Sequence, residues 1–139
     1  MTSLFMLDTN TVSYIAKGHS KAARARMLNL EEDEVVCLSV ITGAEIRYGL
    51  AKRPEAVALR ERMEWFLAVV KMLPWGCDEA RAYGALRAKL ESSGKTLENM
   101  DMLIAAHAIA TGAVLVTNDK AFAQVEDLHA SVNWATDLK

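Results

Sequence analysis

The chain has 139 residues, 52% of them hydrophobic, with 16 basic against 18 acidic side chains and a formal net charge of −2. That length holds one well-buried domain, read here as residues 1–139, and the near-neutral balance excludes a protein coated in basic residues to grip nucleic acid. No apolar run reaches the ~18 residues of a membrane helix, and the N-terminus lacks the basic and apolar regions of a secretory signal, so the expected location is the cytoplasm.

Along the chain, residues 4–7 predict a first strand, followed by a short helix over 11–17 with Asn10 as its cap and Gly18 as its stop. A helix over 21–30 leads through the acidic turn Glu31-Glu32-Asp33-Glu34 to a β-branched strand over 35–39. The next helix should begin at Thr42 and run to about Ala51. Pro54 suits the first position of a longer helix, whose core face carries Val57, Met63, Phe66, Leu67 and Val70. Residues 72–75 form a short strand placed where Pro74 does little harm, and Asp78 caps a helix over 79–93. A helix from Leu97 or Glu98 to Thr111 ends at Gly112, and 114–117 is a buried strand. A helical turn near Phe122 and a short strand over 132–134 complete the count. Strands alternating with helices give an α/β domain with a mainly parallel central sheet flanked by helices. Cys37 and Cys77 lack metal-type spacing and are read as core thiols.

Four acids stand where an apolar run gives way to polar chain: Asp8, Glu45, Asp101 and Asp119. A buried parallel strand that ends at a carboxylate delivers it to the sheet's C-terminal edge, where open α/β sheets bind ligands. Each acid also has an ordinary structural reading. Asp8 and Asp119 suit turns, Asp119 also suits a helix cap, Thr42-x-x-Glu45 is a capping-box pattern, and Asp101 suits the positive end of its helix. Together, however, four converging carboxylates repel one another unless a cation neutralises them, and all-oxygen ligands favour Mg²⁺ or Mn²⁺ over Zn²⁺. Without these four acids the chain has 14 acidic and 16 basic residues, so a polyanionic substrate is compatible with its charge.

In order, Met6-Leu7-Asp8-Thr9-Asn10, the stretch from Leu38-Ser39-Val40 through Ala44-Glu45-Ile46 to Gly49, Asp101-Met102-Leu103-Ile104-Ala105-Ala106-His107, and Leu115-Val116-Thr117-Asn118-Asp119 resemble the PIN-domain ribonucleases, and among them the VapC toxins of toxin–antitoxin pairs. The resemblance spans nearly the whole chain, including Val132-Asn133-Trp134. It implies a PIN-like three-layer fold and an endoribonuclease, with tRNA as the expected substrate class, that uses Mg²⁺ or Mn²⁺. It also implies a homodimer that a cognate VapB-like antitoxin silences within a larger complex. Residue by residue, Asp8, Glu45, Asp101 and Asp119 match the family's catalytic and metal-binding quartet, and Asn10, Ser39 and Thr117 match polar positions beside it.

Phosphodiester hydrolysis needs an activated water and stabilisation of the charge that grows on phosphate and leaving group. Carboxylate-held metal supplies both, which suits a chain with no convincing Ser/His or Cys/His pair. Arg47, Lys52, Arg53, Lys95 and Lys120 are the candidates for phosphate contacts. Trp65, Trp75 and Trp134 are read as core, His19 and His129 as surface, and His107 as a packing or partner-contact residue. A dehalogenase-type phosphatase would need a proton donor where Asn10 stands, and a receiver domain would need an aspartate between Asp33 and Asp78. The remaining alternative is a catalytically silent PIN-like interaction module.

Overall fold

In the computed structural model, which describes residues 2–138, the elements run β1 (Ser3–Leu7), α1 (Thr9–Ala16), α2 (Lys21–Leu28), β2 (Glu34–Ser39), α3 (Val40–Lys52), α4 (Val57–Val69), β3 (Lys71–Leu73), α5 (Cys77–Ser92), α6 (Asn99–Thr111), β4 (Val114–Val116), a 3₁₀ turn (Lys120–Gln124) and β5 (Ala130–Val132). The strands form one sheet in the order β3-β2-β1-β4-β5, with every neighbouring pair parallel.

Successive strand residues point to opposite faces. Leu7, Leu38 and Val116 therefore join Val12, Ile46, Leu50, Met63 and Phe66 in one core, whereas Met6, Cys37 and Leu115 join Leu86, Leu90, Ile104 and Phe122 in another. Helices α1, α3 and α4 cover the first face, and α5 and α6 the second. The result is the expected three-layer α/β domain. Among the described residues, no helix is long and apolar enough to cross a membrane.

Several element starts differ from the sequence reading, those of α1 and α3 because a side chain nearer the strand takes the cap. Asp8, not Asn10, caps α1, its Oδ1 accepting from the Thr11 N–H at 2.8 Å. Ser39 caps α3, its Oγ accepting from the Ile41 N–H at 3.1 Å, so the helix begins two residues before Thr42. Helix α5 starts behind Gly76, whose N–H donates to Glu79 Oε1 at 2.7 Å, while Asp78 pairs with Arg81 instead. Pro54 lies in the turn ahead of α4, and Pro74 falls just past the edge strand β3. Strand β5 ends at Val132, which leaves Trp134 free to pack against Phe5 and under the Arg26 guanidinium.

Two expected core side chains are on the surface, since α4 offers the core mainly Met63 and Phe66: Val57 is 58% and Trp65 61% exposed. Cys37 is buried as expected, but Cys77 is exposed at the start of α5. Gly43, inside α3, has a packing reason. A Cβ there would come within 2.8 Å of Met72 Cε, so glycine lets α3 lie close against β3.

Candidate active site

The four acids reach one place by four different local routes. Asp8 follows β1, and its N–H donates to the Val116 carbonyl at 3.0 Å, extending the β1–β4 ladder by one residue. That contact leaves the side chain 4% exposed. Its Oδ1 caps α1, and its Oδ2 accepts from Thr117 Oγ1 at 2.6 Å. Burial holds the Asp8 carboxyl above the ordinary aspartate range, although hydrogen bonds from Thr11 and Thr117 pull it down.

Asp119 is fixed by the turn after β4. Its N–H donates to Thr117 Oγ1 at 3.0 Å, and its Oδ1 accepts from the Ala121 N–H at 2.9 Å, capping the 3₁₀ turn. The cap reading of Asp119 is therefore right, and the residue also faces the other acids.

Glu45 sits in the second turn of α3. Thr42 lies in the first turn rather than at the cap, and its buried hydroxyl has no hydrogen-bond partner, so the Thr42–Glu45 capping box does not form. Glu45 Oε1 instead accepts from Thr9 Oγ1 at 2.6 Å, which ties α3 to the residue beside Asp8.

Asp101 occupies the first turn of α6, where the helix terminus alone would favour its charge. Burial works against that and, with smaller pushes from Glu98, Asp119, Glu45 and Asp8, raises its pKa to about 6. Desolvation and like charge outweigh the helix end.

Asp8, Glu45, Asp101 and Asp119 line a cleft of about 160 Å³ together with Thr9, Asn10 and Glu98, and among the described residues no basic side chain lines it. Glu98 and Thr9 are the two members the sequence reading missed. A signal for Glu98 existed, because it precedes Asp101 by three residues on the same face of the helix start. Thr117 touches Asp8 as expected, whereas Ser39 is buried away from the cleft and bonds to His107 at 2.7 Å. His107 is fully buried, so it is not a contact for a partner.

The donor set is entirely oxygen, suited to a hard divalent cation. At ~30 Å³ of liquid volume per water, the cleft has room for such an ion with several of its waters. As the side chains lie, no three carboxylates among the described residues stand close enough to grip one ion. Asp8 is held by Thr11 and Thr117, and Glu45 by Thr9.

Of the basic candidates, Arg47 pairs with Glu64, Lys95 reaches Glu126 at 3.4 Å, and Lys52 lies 5.2 Å from the centre of the Tyr48 ring. Lys120, next to Asp119, is exposed.

A PIN-domain family model matches residues 5–128, and the chain belongs to the PIN-domain family. Ribonuclease VapC2 of Rickettsia felis is 33% identical over 132 residues, covering 94% of this chain and 98% of that one. A tRNA(fMet)-specific endonuclease VapC of Shigella flexneri is 31% identical over 115 residues, covering 83% and 86%. Among solved structures, a chain of the Rickettsia felis VapBC2 complex bound to a promoter DNA fragment matches with a TM-score of 0.87 at 31% identity, covering 94% of this chain and 98% of that one. Within the PIN-domain family, then, this chain groups with the VapC ribonuclease toxins of toxin–antitoxin systems.

Proposed function

We propose that the chain is a Mg²⁺- or Mn²⁺-dependent endoribonuclease acting in the cytoplasm on RNA, with tRNA as its substrate class, and that a VapB-like antitoxin silences it in a complex built on a toxin homodimer. The observation that carries the reading is the meeting of four sequence-distant carboxylates in one cleft lined, among the described residues, by no basic side chain. The tRNA expectation draws support from the similarity to a tRNA(fMet)-specific endonuclease.

Asp8, Asp101 and Asp119 would hold the metal, and Glu45 would act as a further ligand or as the base that orients the attacking water. Mg²⁺ or Mn²⁺ bound there supplies stabilisation of the scissile phosphate's growing charge and activation of that water. Asp101 must be ionised to serve, which its pKa of about 6 allows at neutral pH. Thr117 keeps Asp8 oriented through the 2.6 Å bond to Oδ2, and Thr9 does the same for Glu45. Lys120, exposed next to Asp119, would meet a backbone phosphate beside the cleft. The direct test is cleavage of total tRNA by the purified chain freed of any antitoxin, with Mn²⁺ and with EDTA. A chain that binds its antitoxin but cuts nothing with Mn²⁺ would be the silent interaction module instead.

Because Glu45 caps nothing, Glu45→Gln separates chemistry from structure. Gln can still accept the Thr9 hydrogen bond, so the melting temperature should stay within a degree or two while turnover falls about a hundredfold, the usual scale for losing a general base. Parallel melting curves and single-turnover cleavage check it, and undiminished cleavage would leave Glu45 without a catalytic part.

For the antitoxin, the fold offers a largely apolar groove of about 470 Å³ lined by Ile15, Met27, Leu28, Trp65 and Phe66, with Arg24 and Arg62 beside them. Leu28 is 70% and Trp65 61% exposed, a large apolar surface for a free monomer to leave in water. The groove lies at the C-terminal end of α1, whose N-terminal end forms one side of the cleft. A partner helix seated there would reach the acids only by running on along α1. Trp65→Ala should weaken antitoxin binding about thirtyfold or more, as for a central aromatic anchor, and leave cleavage by the free toxin unchanged. Titration calorimetry checks the first part, and unchanged affinity would move the partner to another face.

A further inference from the structure

His107 lies six residues beyond Asp101 on α6, and Glu45 lies six residues beyond Ser39 on α3. His107 Nδ1 is 2.7 Å from Ser39 Oγ, while Asp101 and Glu45 share the cleft. The two pairs run in opposite chain directions, so α3 and α6 pass antiparallel: His107 meets Ser39, the last residue of β2 and the cap of α3, and Asp101 and Glu45 share the cleft about 9 Å further on, six residues at ~1.5 Å each.

Both members of the buried pair are 0% exposed. Ser39 Oγ accepts from the Ile41 N–H at 3.1 Å and keeps both its own proton and a second lone pair for Nδ1, so the pair bonds with the ring proton on either nitrogen. Burial keeps the ring neutral. The ring also faces the Pro74 backbone, although Nε2 completes no hydrogen bond. A side chain that serves packing alone would be apolar here, as its neighbours Ala105, Ala106 and Ala108 are. Placing a polar ring in such surroundings is favourable only if its hydrogen bond forms, and that bond forms in one register of α6 against the Ser39 cap of α3.

We propose that His107 is a positioning residue for the acidic cleft: through Ser39 it fixes the register of α6 against α3, and with it the separation of Asp101 from Glu45. A slip by one residue would move the two carboxylates relative to each other by ~1.5 Å, enough to spoil a shared cation site. The inference rests on the metal-nuclease reading for its consequence, but not for its geometry.

Two variants test it. His107→Asn places an amide near the position of Nδ1 and can still hydrogen-bond Ser39, whereas His107→Leu fills the volume and cannot. His107→Leu should weaken Mn²⁺ binding, measured by calorimetry, and turnover on RNA by about tenfold, the scale found for groups that orient metal ligands, and His107→Asn should restore most of both. Crystal structures of the two variants should show the Asp101–Glu45 separation changed in the first and kept in the second. Wild-type metal affinity and an unchanged separation in His107→Leu would overturn the proposal. A parent chain that neither binds Mn²⁺ nor cuts RNA would instead remove the nuclease reading, and the Asp101–Glu45 separation in the two structures would then decide the positioning role alone.

Discussion

Asp8→Asn and Asp101→Asn should each abolish RNA cleavage, lowering turnover about a thousandfold or more, while the chain keeps its fold. The magnitude follows from removing a charge that helps hold a cation worth several kcal/mol to the transition state, at about 1.4 kcal/mol per tenfold. For Asp8 the choice of asparagine matters. Its Oδ1 caps α1 and its Oδ2 accepts from Thr117, so truncation to alanine would cost about 1 kcal/mol in the lost cap alone. The asparagine oxygen keeps the Thr11 bond, and the Thr117 hydroxyl can turn to accept from the new NH₂. Circular dichroism and cleavage assays at matched concentration check both parts. Cleavage at the parent rate by either variant would remove the catalytic assignment.

In the metal-free protein, Asp101→Asn should be more stable than the parent at neutral pH, and the parent should lose stability as pH rises. Between the ordinary aspartate value of 3.8 and the folded value of about 6, the native chain binds more protons at Asp101 than the unfolded chain does. Stability therefore falls across that window, with no penalty below it and the full penalty above. Asp8, also held above its ordinary range by burial, adds a contribution of the same sign. Divalent metal should reverse the effect by binding the ionised cluster. Free metal at ~10 times its dissociation constant should stabilise the parent by about 1.4 kcal/mol, a rise of a few degrees, and Asp101→Asn should gain less. Melting curves in EDTA and in Mn²⁺ from pH 4 to 8 check the set. Equal metal responses, or an Asp101→Asn variant less stable without metal, would mean that Asp101 serves its helix end.

The same physics explains which assignments were legible in the chain. Strands and helices could be read because apolar runs and helical spacing are local signals. The starts of α1, α3 and α5 were misplaced because several polar residues could serve as caps, and neighbouring tertiary contacts chose among them. Trp65 was read as core because an apolar run does not say which face of a helix meets the sheet.

By itself the sequence determined the layered α/β architecture, the parallel sheet and the identity of the four acids, since each depends on residue types along a short stretch. Only the tertiary structure decided that Asp8, Glu45, Asp101 and Asp119 share one cleft with Glu98 and Thr9, that Glu45 answers Thr9 rather than the Thr42 backbone, and that His107 is locked to Ser39. Those relations join residues 36 and 68 positions apart in the chain, and contacts at that range are set by how helices pack on the sheet rather than by local pattern.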